Sequence, residues 1–126
     1  MEPVNLFDLA SKQSQWLSVR QSAVAGNIAN ADTPGYVATD VEPFEKLLDR
    51  TAVHMNATQS GHLGGGTAEA AYAVRPQEFT GAPLPSKNTV VLESELMKAG
   101  EIRRSFELNT AIVKAFHAMM LSAVKG

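Results

Sequence analysis

Placed at about 100° per residue, the apolar side chains from Leu6 to Ile28 separate into two stripes. Leu9, Trp16, Val19 and Ala23 form one, and Leu6, Ala10, Leu17, Val24 and Ile28 form the other, with Gln13 and Arg20 between them. The spacing predicts an N-terminal helix over residues 6–30, roughly 35 Å long from Leu6 to Ile28, with Asn5 as its N-cap and Asp8 near its positive end. A helix packed on one partner needs about one stripe, so two stripes predict two partners; the alternative is one wide stripe in a single broad core. A second helix is predicted over residues 89–125, started by Asn88 or Thr89, with Glu93 and Glu95 near its N-terminus. Its seam is Leu92, Leu96, Ala99, Ile102, Phe106, Val113, Phe116, Met120 and Val124, in steps of three and four broken at Asn109. Beyond Glu107 a second apolar face follows, made of Leu108, Ile112, Ala115 and Met119, and Gly100 is a place for a bend.

The residues between the helices read differently. Residues 31–50 form a turn and a short segment, where Phe44, Leu47 and Leu48 predict a short helix beginning near Pro43. Glu45 and Asp49 would share its face beside Lys46 and Arg50, a solvated edge more than an acid-base pair. Residues 51–88 hold five of the nine glycines and three of the six prolines, and predict an irregular loop. Within it Tyr72, Val74 and Phe79 suit a strand or hairpin over 71–79. The expected fold is one mainly α domain: two long terminal helices packed as a coiled-coil-like pair around an irregular Gly- and Pro-containing middle.

The chain turns at Asn27 to Tyr36, Asn-Ile-Ala-Asn-Ala-Asp-Thr-Pro-Gly-Tyr. Pro34 presets φ for the second position of a β-turn, Gly35 tolerates the positive φ that a type II turn needs next, and Thr33 before proline is pushed extended. Asn30 and Asp32 can tie their side chains to nearby backbone and close the helix.

Composition narrows the function. A net charge of -2 and a pI near 5.9 leave no electrostatic footprint for nucleic acid or an anionic membrane. Cysteine is absent, which removes disulfides, thiolate catalysis and zinc-thiolate sites. His54, His62 and His117 have no recognised ligand spacing, and Gly64-Gly65-Gly66 lacks the lysine and serine or threonine of a phosphate cradle. No cofactor is called for. The start, Met1-Glu2-Pro3-Val4-Asn5, shows no basic n-region, and no apolar run reaches eighteen residues, so neither a cleaved signal peptide nor a membrane span is expected. Both helices carry more apolar surface than their mutual contact would cover. The surplus predicts burial against other chains, and a free subunit that completes its folding on assembly.

The Asn27–Tyr36 run, continued by Val37-Ala38-Thr39-Asp40-Val41-Glu42-Pro43-Phe44, resembles the amino-terminal signature of the bacterial flagellar axial proteins, the rod, hook and hook-associated subunits. Asn88 to Met97, Asn-Thr-Val-Val-Leu-Glu-Ser-Glu-Leu-Met, is similar to the stretch that opens the C-terminal helix of the short rod members, although Leu96 separates Glu95 from Met97 where that pattern has them adjacent. The two matches with their helices span about two-thirds of the chain. The resemblance implies a structural, non-enzymatic subunit of the proximal rod, passed through the flagellar type III export apparatus and stacked helically in the periplasmic part of the basal body to transmit torque. Its partners would be other copies, other rod proteins, and the rod-base adaptor, membrane-ring and export-gate proteins. Asn27, Ile28, Asn30, Asp32, Thr33, Pro34, Gly35 and Tyr36 would then be subunit contacts, joined by Trp16, Phe106, Ile112, Val113, Phe116, Met119 and Met120 from the helix interfaces and surplus faces. A sibling rod protein, a helical adaptor or export chaperone, and an enzyme using Glu45, Asp49 or the histidines are the rival readings; the enzyme lacks a nucleophile-base pair and a metal motif.

Overall fold

The computed structural model describes residues 6–52, 72–79, 81 and 85–126. Asn5, His54, His62, Gly64 to Gly66 and most of the expected loop lie outside them. The elements in order are α1 (Leu6–Ala29), β1 (Thr39–Val41), α2 (Phe44–Ala52), β2 (Val74–Pro76) and α3 (Leu92–Lys125). None of the described helices is long and apolar enough to cross a membrane.

The two long helices pack antiparallel. Phe7 meets Phe116 edge to face at 5.4 Å near one end, Leu17, Val24 and Ile102 are buried together in the middle, and Asn27 reaches Glu95 at the other end. The α1-facing positions of α3 run 95, 99, 102, 106, 109, 113 and 116, an unbroken alternation of four and three, as a left-handed coiled-coil seam requires. Opposite them, Ala10, Leu17 and Val24 are buried at intervals of seven. Two polar residues sit in this seam. Asn109 does not break it, because its amide donates to the Ala10 carbonyl at 3.0 Å. Glu95, not Leu96, lies on the buried line; Leu96 points about 100° away from Glu95 and is 56% exposed, and Leu92, in step with Ala99 but in the first turn of the helix, is exposed too.

The α1 stripe that holds Trp16 meets its partner within the chain at that residue. Trp16 donates its indole N–H to the Glu42 carbonyl at 2.8 Å and stacks obliquely on Phe44 at 5.8 Å. The two partners of α1 are therefore α3 and the β1–α2 segment. Helix α2 begins immediately after Pro43, whose carbonyl accepts from the Lys46 N–H. Strand β2 pairs with β1 antiparallel, Thr39 opposite Pro76 and Val41 opposite Val74. Flanking bonds from Gln77 to Ala38 and from Glu42 to Ala73 put Thr39 and Pro76 at a position that exchanges no ladder bonds, where proline's missing N–H costs nothing.

Helix α3 departs from expectation at its start. Its N-cap is Val91, in an extended conformation without a side-chain cap, and not Asn88 or Thr89. Both polar side chains are committed elsewhere: Asn88 to the end of α1, Thr89 to the Ala38 N–H at 2.9 Å. The helix runs unbroken through Gly100. Its last turns outrun α1, and every residue from His117 to Gly126 is exposed.

Because Leu17 is buried to 1% exposure and Leu96 is not, Leu17→Ala should lower unfolding free energy by about 2–5 kcal/mol, while Leu96→Ala should stay within about 0.5 kcal/mol. Urea denaturation followed by circular dichroism compares the two.

Candidate assembly joint

The corner that leaves α1 is organised by the Asn27 carboxamide, which is fully buried. Its Nδ2 donates to the Thr39 carbonyl at 2.7 Å and to Glu95 Oε2 at 3.0 Å. Its Oδ1 accepts from the Thr39 N–H at 3.0 Å, with the hydroxyls of Tyr36 and Thr39 at 3.5 Å. The side chain thus treats Thr39 as one peptide of a ladder treats another, on the edge of β1 opposite β2.

Glu95 is itself 1% exposed and holds Lys98 Nζ at 3.1 Å. Lys98 extends to Gln77 Oε1 at 2.7 Å and to Asp40 Oδ2 at 3.5 Å. Asp40 Oδ1 accepts from Arg20 Nε at 3.3 Å, and Arg20 lies 5.6 Å from the centre of the Trp16 ring. One connected set of polar groups therefore fastens α1, β1, the segment after β2, and α3. Sequence spacing alone left Glu95, Lys98, Asp40 and Arg20 out of the candidate set. The available signal was Glu95 falling in step with Ala99, Ile102 and Phe106, since a carboxylate on a buried line needs a partner.

A second clamp closes the α1 C-terminus. Asn30 bonds through both its backbone and side-chain nitrogens to the Gly26 carbonyl, and Thr33 Oγ1 bonds to Asn30 Oδ1. The carbonyls of Asn30, Ala31 and Thr33, just past the end of the helix, also receive Asn88 Nδ2 at 2.9, 3.0 and 2.7 Å. Tyr36 N–H returns to the Thr33 carbonyl across Pro34 and Gly35, and Gly35 has φ +74°, as a type II turn demands. The Gly35 N–H donates to the Ser86 carbonyl at 2.7 Å and the Thr89 N–H to the Tyr36 carbonyl at 3.1 Å, so the turn is strapped to the run leading into α3.

The expected contact residues divide by position. Asn27 is wholly internal, Ile28, Asn30 and Tyr36 are half-buried, and Asp32, Thr33, Pro34 and Gly35 are exposed at the tip. Trp16 is half-buried against β1 and α2, and Phe106, Val113 and Phe116 lie half-buried along α1. Ile112, Met119 and Met120 stand in the open on α3.

Asn27→Asp keeps the shape but replaces a donor with a carboxylate next to Glu95. Expected is a loss of about 3 kcal/mol or more at neutral pH, partly recovered on acidification. The sign follows from the introduced carboxyl alone: buried beside Glu95, its charged form is disfavoured, so the folded variant holds a proton there that the unfolded one has lost. Urea midpoints between pH 7 and pH 4.5 give the comparison, with the unsubstituted chain as reference.

The joint falls within the match to known proteins. Residues 15–36 match the family model described as flagella basal body rod protein. The chain is 47% identical to a flagellar basal body rod protein FlgB of Agrobacterium fabrum, across 99% of this chain and 96% of that relative. It is 38% identical to the Borrelia hermsii protein of the same description, over 49% of this chain and 48% of that one. With residues of the corner inside the family match and a relative 47% identical over nearly the whole of both chains, the chain belongs to the FlgB family of flagellar basal body rod proteins.

Proposed function

We propose that the chain works as a structural subunit of the flagellar proximal rod, polymerising through head-to-tail contacts into the shaft that carries motor torque across the periplasm. The observation that carries this reading is the 47% identity to a rod protein over nearly the whole of both chains. The subunit's chemistry agrees with a mechanical part. Its buried charges are spent on tying elements together, and among the described residues most of the exposed large apolar side chains lie on α3. The chain leaves the cytoplasm by the flagellar type III route and meets copies of itself, other rod proteins, and the adaptor, ring and export-gate proteins at the rod base. The exposed tip Asp32 to Gly35 and the open face with Ile112, Met119 and Met120 form its subunit contacts, while Asn27 shapes the joint from inside.

A strain lacking the gene should be non-motile and should swim again when the full chain is supplied. The chain should sediment with purified basal bodies and keep its unprocessed mass. A chain that stays in the soluble cytoplasmic fraction of a swimming strain refutes the reading and favours the adaptor. In the isolated subunit, amide hydrogen exchange should be slowest around Ile102 and fast over residues 117–126, where no described residue covers the helix. Uniform protection along α3 contradicts completion of folding on assembly.

A further inference from the structure

The run that leads into α3 carries two local costs. Lys87 has φ +56°, a left-handed conformation that is unfavourable for a residue with a Cβ. Helix α3 then starts at Val91 without a side-chain cap, although Asn88 and Thr89, both good capping residues, precede it. Both costs fall where the chain is bonded to the corner: Ser86, Asn88 and Thr89 reach it from this run, and Glu95 reaches it from the first turn of the helix.

The corner has few means of its own to keep its shape. Asp32, Thr33, Pro34 and Gly35 are exposed, so apolar burial does not fix them. Their local bonds are Thr33 N–H to the Asn30 carbonyl at 3.0 Å, Tyr36 N–H to the Thr33 carbonyl at 3.3 Å, and Thr33 Oγ1 to Asn30 Oδ1 at 3.1 Å. Asn88 supplies what is missing. Its Oδ1 accepts from the Val90 N–H at 2.8 Å, which turns the NH2 end of the carboxamide towards the carbonyls of Asn30, Ala31 and Thr33. A carboxylate in the same place would meet those acceptors with no hydrogen to offer.

We infer that residues 86–95 act as a clasp on the exposed turn Asp32–Gly35, so that the turn is presented to a neighbouring rod component only after the start of α3 has docked on the corner. The inference rests on the rod-subunit reading, in which that turn is a contact. In a chain whose α3 has not docked, the Gly35 N–H lacks the Ser86 carbonyl and Asn27 lacks Glu95. Neither the turn nor the residue that anchors it then holds its position. A partner that binds the turn therefore engages closed subunits in preference to unclosed ones. The left-handed Lys87 and the uncapped helix start are the local concessions that bring Asn88 and Thr89 to the corner.

Asn88→Ser and Asn88→Asp, each in the full chain, test the clasp. Serine is too short to reach the carbonyls and still suits a helix start, while aspartate keeps the shape and removes the donors. In the isolated subunit, amide hydrogen exchange at Gly35 and Tyr36 should speed up at least about tenfold in both variants, while amides around Leu17 and Ile102 stay within about twofold of the unsubstituted chain. Lys87→Gly relieves the strained residue and keeps the clasp, so Gly35 should exchange no faster than before. Unchanged exchange at Gly35, or equal acceleration at the corner and the core in both Asn88 variants, overturns the inference. In cells, benzoylphenylalanine in place of Asp32 should give a photo-crosslinked band that is lost when Asn88→Ser is added at the same cellular level of the chain. An undiminished band, or no band at all from basal bodies that contain the chain, also overturns it and leaves the rod-subunit reading standing. Absence of the unsubstituted chain from basal bodies would instead strike that reading.

Discussion

The structure depends on burying one carboxamide with all of its hydrogen-bonding capacity spent. Asn27 has two donors and one acceptor oxygen, and Thr39 and Glu95 use both donors. In a small core each unmet polar group costs about 1–3 kcal/mol, a large part of a domain's margin. The backbone of β1 must therefore come to Asn27 in one position, and Glu95 must arrive from α3 at the same level. That requirement fixes where β1 crosses the helix pair more tightly than apolar contact could.

The same logic sets the axial position of the helices. A seam of apolar residues alone would tolerate sliding by a heptad, since Leu17 could trade one small hydrophobic neighbour for another. Two polar entries remove that freedom. Glu95 finds Asn27 and Asn109 finds the Ala10 carbonyl in one register only. Stability supplied by the apolar cluster of Leu17, Val24 and Ile102 is thus paired with specificity supplied by two polar residues.

Much of the fold was legible because helical periodicity is a strong signal. Both long helices, the short helix after Pro43, the turn at Pro34-Gly35 and the extended run near Val74 follow from spacing and turn chemistry. The site was legible only in part. Asn27, Asn30 and Tyr36 stood out by lying at the corner, but their roles could not be read locally, since their partners come from 39, 88, 89 and 95. Asn88 shows the difficulty best. Its position before an apolar periodic run marks it as a helix start, yet it serves the end of the other helix, more than fifty residues away. Leu96 shows the complementary failure: a leucine in a helix was assigned to the seam although the charged residue beside it holds the buried line.

The small ribbon has a further consequence for a protein of the flagellar basal body rod. Strand edges invite other strands, and crowding among rod components raises that hazard. Here one edge of β1 is occupied by β2 and the other by the Asn27 carboxamide. On the free edge of β2 the two outward positions are Val74 and Pro76, and proline brings no donor to a new ladder. Two side chains thus blunt the ribbon against growth, Asn27 on one edge and Pro76 on the other.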